Sequence, residues 1–150
     1  MSERALVIGT GNALRRDDAA GLAAARLARS AGMDAIEVCG DLSSLTDRWD
    51  QRNRVIIVDA VSTGAPPGSL YRFEAAVGPL PACFALGSTH AFGVAEAVEL
   101  ARVLGRLPHE LVVYGIEGGD FSPGEGLSPE VERAVEKTAA RIVIEAGDAR

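Results

Sequence analysis

The sequence has few of the residues that nucleic-acid-binding or disulfide-stabilised proteins use. Aromatic residues make up 5% of the 150 residues, and the formal net charge is −6, with Lys and Arg scattered singly. Neither a basic surface nor a set of stacking side chains is expected, which argues against nucleic acid as a partner. The two cysteines, Cys39 and Cys83, match no metal-binding spacing, so we predict two buried thiols in a reducing compartment.

Long apolar runs and separating linkers are also missing. No segment approaches the roughly 20 apolar residues of a membrane span, and the first apolar stretch is too short for a signal peptide. No internal repeat or linker divides the chain, and its length is typical of one domain. We therefore predict a single domain over residues 1–150, in the cytoplasm and without membrane contact.

The chain does contain an alternation of short apolar runs and helical patterns. Residues 55–58 are four consecutive β-branched residues, which suits a sheet covered on both faces. Ser128 and Pro129 fit the N-cap and first position of a C-terminal helix. The alternation predicts an α/β fold, a three-layer α/β/α sandwich around a mostly parallel, twisted sheet of about five strands. The other predicted strands are 5–8, 35–39, 69–73 (at an edge) and 111–116, and the other predicted helices are 19–31, 42–49 and 92–104.

Ionisable side chains follow several of these predicted strands. Asp17 and Asp18 come after the first strand, Asp59 directly follows residues 55–58, and His90 precedes a predicted helix. In an open α/β sheet, ligands bind beyond the carboxyl ends of the strands. The sequence therefore predicts that acids and an imidazole from separate parts of the chain meet at one edge of the sheet.

Each of these residues also has a simpler interpretation. Asp17 fits the N-cap of the following helix, and Asp18 is either a first-turn acid stabilised by the helix dipole or a catalytic acid. Asp59 abuts buried aliphatic residues, which is costly for a carboxylate unless it is paired or liganded, and this favours a functional role. His90 is either a turn residue or a ligand. Glu117 and Asp120 are interpreted as residues that shape a loop or contact substrate.

Nucleotide-binding and nucleophile motifs are incomplete. The run that begins at Gly9 has Leu14 where a dinucleotide fingerprint needs its third glycine, and neither a Walker A loop nor a Gly-x-Ser-x-Gly elbow is present. Two carboxylates and one imidazole suit a divalent cation such as nickel or zinc with open coordination positions. Such a cation polarises carbonyls and acidifies water, which indicates hydrolysis. The residues alone predict a hydrolase-like or metal-binding α/β domain.

Three motifs together resemble those of the [NiFe] hydrogenase maturation proteases. The first is Gly-Thr-Gly-Asn-Ala-Leu-Arg-Arg-Asp-Asp-Ala-Ala-Gly at 9–21, the second is Val-Asp-Ala at 58–60, and the third is Ser-Thr-His-Ala-Phe-Gly-Val at 88–94. Their order and spacing, and the length of the chain, agree with that family. The resemblance therefore covers essentially the whole chain.

The resemblance implies an endopeptidase, of the aspartic type by family classification, that removes a C-terminal extension from the nickel-loaded large subunit of a [NiFe] hydrogenase. It also implies that Asp18, Asp59 and His90 contact nickel and act in cleavage. The nickel would belong to the precursor, so no tightly bound cofactor of the chain itself is expected, although other divalent cations could occupy the site. The precursor is the expected partner.

One segment departs from the family pattern. The better-known branches carry Asp-Gly-Gly-Thr after the second strand, a turn linked to partner choice, whereas this chain has Cys39-Gly40-Asp41-Leu42. The alternatives to a protease are a non-catalytic nickel-checking or scaffold protein in metallocentre assembly and, third, a small-ligand-binding α/β domain.

Overall fold

The computed structural model describes residues 4–81 and 93–148, and these build one five-stranded sheet. The strand order is β2-β1-β3-β5-β4; the first four strands of that order run parallel, and β4 is an antiparallel edge strand. The strands are β1 (Leu6–Gly11), β2 (Asp34–Cys39), β3 (Arg54–Val61), β4 (Leu70–Glu74) and β5 (Glu110–Glu117).

Helices cover both faces of this sheet. They are α1 (Ala20–Ser30), α2 (Leu45–Trp49), α3 (Val94–Val103) and α4 (Pro129–Asp148), and a 3₁₀ turn (Arg16–Ala19) precedes α1. Apolar residues of α1 and α4 pack in one buried cluster, and those of α2 and α3 pack in another on the opposite face. The predicted three-layer α/β/α sandwich around a mostly parallel sheet is confirmed.

The central strand β3 shows why both faces must be covered. Val55 and Ile57 belong to the cluster with α2 and α3, whereas Ile56 and Val58 belong to the cluster with α1 and α4. Successive side chains of a strand point to opposite faces, so a continuous apolar run buries both. The same alternation directs the side chain of Asp59 to the face of α2 and α3.

Two glycines allow α1 to lie directly on the backbone of the sheet. A Cβ atom on Gly21 would lie 2.3 Å from the carbonyl oxygen of Val58 and 2.5 Å from that of Thr10. A Cβ atom on Gly9 would lie 2.1 Å from the carbonyl oxygen of Gly21. Because real Cβ atoms cannot approach so closely, only glycine fits either position. This contact brings the start of α1 against β1 and β3.

Three sequence-based predictions differ from the structure. Cys39 is exposed rather than buried, because it ends the edge strand β2. Helix α2 begins at Leu45 rather than at residue 42, and β3 continues to Val61 rather than ending at residue 58. Cys83 lies outside the described residues. Among those residues, no helix is both long enough and apolar enough to cross a bilayer.

Candidate active site at the carboxyl edge of the sheet

Asp59 lies inside β3 and not after it as predicted. The strand continues because Ala60 and Val61 pair with Ile116 and Glu117 of β5. Asp59 itself is 1% exposed, and the residue that pairs with it is Gly115, which has no side chain. The carboxylate therefore stands on a backbone fixed by hydrogen bonds, which gives it a more rigid platform than a loop.

The surroundings of Asp59 favour its neutral form. Burial raises the pKa of the Asp59 carboxyl to about 7; a hydrogen bond from the Thr10 hydroxyl opposes this rise, and the nearby negative charge of Asp18 adds to it. The Thr10 hydroxyl also lies 3.3 Å from the carbonyl oxygen of Val58. Since a hydroxyl carries one proton, it donates to one of these acceptors at a time.

Asp18 reaches the same place from the loop before α1. It lies in the 3₁₀ turn and is 1% exposed. Its backbone N–H donates to Arg15, and its carbonyl accepts from Asn12, so the turn is closed on itself. Its charge affects the pKa of Asp59, which means that the two carboxylates lie within electrostatic reach of each other. The fold therefore brings together two of the predicted site residues.

Asp17 does not cap α1, although the sequence suggested that role. The N-cap of the 3₁₀ turn is Arg15, the N-cap of α1 is Ala19, and neither makes a side-chain cap hydrogen bond. The fully buried Asp17 carboxylate instead accepts four hydrogen bonds, from the backbone N–H groups of Gly119, Asp120 and Ser128 and from the Ser128 hydroxyl, at 2.7–2.9 Å. Burial raises its pKa, but these hydrogen bonds outweigh burial and lower it overall.

Glu117 and Asp120 shape loops, as one of their predicted interpretations held. Glu117 is 1% exposed and accepts hydrogen bonds from the N–H and hydroxyl of Thr63 and from the Tyr71 hydroxyl, at 2.6–3.1 Å. Asp120 is exposed and accepts from the N–H and hydroxyl of Ser122, which lowers its pKa. Glu117 was not expected to be buried. The alternation of a strand does indicate this burial, because residues 111, 113, 115 and 117 share one face of β5.

The third predicted site residue, His90, lies outside the described residues. Within residues 4–81 and 93–148, no three His, Cys, Asp or Glu side chains are grouped so that they could hold a metal ion. The pair Asp18 and Asp59 nevertheless suits a divalent cation, because a positive charge would relieve the effect that each carboxylate has on the other. The described residues contain two members of the predicted set, Asp18 and Asp59, and their role as metal ligands stays a prediction.

The glycine-rich loop is occupied by protein and leaves no phosphate cradle. A Cβ atom on Gly11 would lie 2.0 Å from the carbonyl oxygen of Asp18, and Gly9 is similarly filled by the backbone of α1. In dinucleotide-binding loops the glycines let a pyrophosphate approach the backbone. Here they let the 3₁₀ turn and α1 approach instead, so the geometry supports acid placement and not nucleotide binding.

Two buried acids at the carboxyl edge of a parallel sheet are an arrangement suited to hydrolytic or cation-binding α/β proteins. Comparisons with known proteins narrow this class. The family model HycI, described as hydrogenase maturation protease, matches residues 30–145, which include Asp59 but not Asp18. The Hydrogenase 2 maturation protease of Escherichia coli K12 is 27% identical over 154 residues, covering 93% of this chain and 88% of that protein. A hydrogenase expression/formation protein of Thiocapsa roseopersicina is 29% identical over 148 residues, covering 89% and 67%.

Solved structures agree with these sequence matches. The [NiFe] hydrogenase maturation protease HybD of Thermococcus kodakarensis superposes with a TM-score of 0.76 at 27% identity, covering 95% of this chain and 99% of that one. The hydrogenase maturating endopeptidase HybD of Escherichia coli gives a TM-score of 0.79 at 23% identity, covering 97% and 93%. The chain belongs to the hydrogenase maturation protease family, and its class of activity is that of a protease.

Proposed function

We propose that this chain is an endopeptidase that removes a C-terminal extension from the nickel-loaded large-subunit precursor of a [NiFe] hydrogenase. Family membership supports the reaction class, and the names of its relatives refer to hydrogenase maturation. The observation that carries the proposal is the pair of buried carboxylates, Asp18 and Asp59, at the carboxyl edge of the sheet.

In this proposal the nickel arrives with the precursor and is not a resident cofactor. Asp18, Asp59 and His90 contact it, and this contact reports that the precursor has been loaded. Two carboxylates and an imidazole are suitable ligands for a borderline divalent cation. A precursor without the cation leaves the two acids facing each other, so nickel adds a favourable contact that an empty precursor lacks.

The same acids account for hydrolysis without a nucleophilic side chain. Burial raises the pKa of Asp59 to about 7 when no cation is bound, and nickel would lower it, so the Asp59 carboxylate is ionised and able to accept a proton from water near neutral pH. The water oxygen then bonds to the scissile carbonyl carbon as its proton moves to Asp59. When the C–N bond breaks, that proton passes to the leaving amine. In this route a carboxylate activates water and no side chain forms a covalent intermediate, which is how an aspartic-type endopeptidase would act at this site.

We also place the reaction in the cytoplasm. Cys39 is free and exposed, which is compatible with a reducing compartment.

The test is to incubate the purified chain with unprocessed large subunit, with and without nickel, and to follow the mass of the precursor's C-terminus. We expect nickel-dependent loss of a C-terminal peptide, abolished in Asp18→Asn and retained in Glu110→Gln, whose carboxylate is half-exposed at the opposite edge of the sheet. Nickel-dependent binding without cleavage would replace the protease by a nickel-checking protein. Cleavage that ignores nickel would remove the loading check from the proposal.

A further inference from the structure

Two loops beside the acid pair are joined along their length. The α1 loop (residues 12–18) precedes helix α1, and the β5 loop (residues 118–128) follows strand β5. The N–H of Arg16 donates to the carbonyl of Gly124 at 3.1 Å, and the N–H of Gly124 donates to the carbonyl of Leu14 at 2.8 Å. The β5 loop has no strand or helix of its own to order it, so these contacts with the α1 loop order it.

The Asp17 carboxylate binds both ends of the β5 loop to the α1 loop through hydrogen bonds. Its four donors are the N–H groups of Gly119 and Asp120, at the start of the β5 loop, and the N–H and hydroxyl of Ser128, at the end. The backbone N–H of Asp17 donates in turn to the carbonyl of Asp120 at 2.9 Å. Hydrogen bonds to an ionised acceptor are among the stronger ones in proteins, so this buried carboxylate is a firm anchor.

Asp18 is the next residue, and its backbone makes two hydrogen bonds within the α1 loop. Its N–H donates to the carbonyl of Arg15, and its carbonyl accepts from the N–H of Asn12. The Asp17 anchor beside Asp18, together with the hydrogen bond from Arg16 to Gly124, joins the turn that carries Asp18 to the β5 loop. Asp17 and Asp18 are consecutive acids with different tasks, because one is saturated by donors and the other lies near Asp59.

We propose that Asp17 is a positioning residue that holds the 3₁₀ turn against the β5 loop and so orients the Asp18 carboxylate toward Asp59. The inference rests on the proposed function in taking Asp18 as a site residue. Asparagine is a poor replacement for Asp17: with its oxygen in the place of Oδ2, its NH₂ group would face the Ser128 N–H, itself a donor, and the negative charge would be lost. Because a large precursor is held by many contacts, a small displacement of Asp18, one of the residues proposed to contact its nickel, should misalign the scissile bond against Asp59 and lower turnover more than binding.

The test compares Asp17→Asn with Glu145→Gln, whose carboxylate contacts Arg72 and Tyr114 at the opposite edge of the sheet. Precursor cleavage is measured as separate kcat and KM values at a temperature where each variant is folded. We expect kcat of Asp17→Asn to fall by about 10- to 100-fold with little change in KM, and Glu145→Gln to keep the wild-type kcat. Ser128→Ala should lower kcat less, and Ser128→Thr, which keeps the hydroxyl, should restore it.

Amide hydrogen exchange provides a second readout that needs no precursor. Asp17→Asn should accelerate exchange in both the α1 loop and the β5 loop, and Glu145→Gln should leave both unchanged. A wild-type kcat in folded Asp17→Asn, a change in KM alone, or unchanged exchange would each overturn the positioning role. Failure of the proposed function would look different, because wild-type protein would then cut no precursor, or Asp18→Asn would still cut it. In either case the exchange experiment would still decide whether Asp17 orders the turn.

Discussion

The two edges of the sheet hold their acidic side chains in different ways. At the edge where the parallel strands begin, Glu110 lies 2.6 Å from Arg54, and Glu145 contacts Arg72, so each acid faces a guanidinium. At the carboxyl edge, the Asp17 carboxylate accepts hydrogen bonds from N–H groups and a hydroxyl. A guanidinium cancels the charge of a carboxylate, whereas dipolar donors leave it negative. Arg16 at this edge lies 3.7 Å from the exposed Asp120, while the buried Asp17 carboxylate keeps its negative charge next to Asp18, which suits a cation.

Clefts also lie at the edge of the sheet where the parallel strands begin. Two clefts, of about 650 and 990 Å³, lie at the edge where the parallel strands begin and share Arg54, His109 and Glu110 in their linings. Neither is lined by Asp18 or Asp59. Glu110 and Glu145 in these linings are already paired with arginines, whereas the pKa of the buried Asp59 is raised, and perturbed ionisable groups of that kind are typical of functional sites.

The largest effect is expected when the carboxyl edge loses an acid of the pair. Asp59→Ala should lower precursor cleavage by about three orders of magnitude or more, because a group acting in the chemical step cannot be replaced by binding contacts. The circular dichroism spectrum and thermal unfolding should stay cooperative, since β3 is paired on both sides. The matched change at the opposite edge, Glu145→Ala, should leave cleavage intact. Undiminished cleavage by folded Asp59→Ala would remove Asp59 from the site.

The pH dependence of the free energy of unfolding should reveal the raised pKa of Asp59. Its pKa rises from 3.8 to about 7 on folding, so the folded protein holds a proton that the unfolded chain releases between those values. Stability contributed by Asp59 is therefore present at low pH and is lost as pH rises toward 7. At roughly 1.4 kcal/mol per pKa unit, the loss is about 4 kcal/mol.

Asp59→Asn lacks this titration, which gives a direct measurement. In buffer with a chelator, the free energy of unfolding of Asp59→Asn minus that of wild type should increase by about 4 kcal/mol between about pH 4 and about pH 8. Asp17→Asn should show an opposite change and at lower pH, because the pKa of Asp17 is lowered from 3.8, so its contribution is full above that pH and is lost as pH falls below it. If the free energy of unfolding of Asp59→Asn minus that of wild type were constant between about pH 4 and about pH 8, folding would not raise the pKa of the Asp59 carboxyl.

The sequence predicted the fold well because its signals are local and repeated. The β-branched run at residues 55–58, and Pro129 as the first residue of α4, lie where they were expected. The end of β3 was misplaced because Asp59 looks like a strand terminator, and only pairing with β5 shows that the strand continues. Long-range register of that kind is not written in any short window of residues.

The roles of the two consecutive acids could not be separated from the sequence. Locally, Asp17 and Asp18 have the same chemistry and almost the same context. What separates them is a loop more than 100 residues away, whose Gly119 and Ser128 donate to Asp17. The predicted site set of Asp18, Asp59 and His90 remains a prediction, with the first two brought within electrostatic reach of each other by the fold.

Two helical glycines sharpen the same comparison between the edges. Gly21 of α1 touches the backbone of β1 and β3, whereas a Cβ atom on Gly147 of α4 would meet nothing within 4 Å. Gly21→Ala should destabilise the protein by about 3 kcal/mol and impair cleavage, because it moves α1 and the Asp18 turn off the sheet. Gly147→Ala should be neutral or stabilising by up to about 1 kcal/mol, since alanine favours helix. Thermal unfolding of both variants measures this. Equal changes in stability would contradict the proposed packing role of Gly21.

The smallest effect is expected from the ion pairs at the opposite edge. The Glu110 side chain is 53% exposed, so water screens its attraction to Arg54, whose side chain is 15% exposed. Glu110→Gln should change the free energy of unfolding by less than about 1 kcal/mol, and by less still in high salt. Denaturant unfolding at low and high salt measures this. A loss above that range would mean that Arg54, which also donates to the carbonyl groups of Glu145 and Ala146 near the end of α4, depends on Glu110 to hold the helix in place.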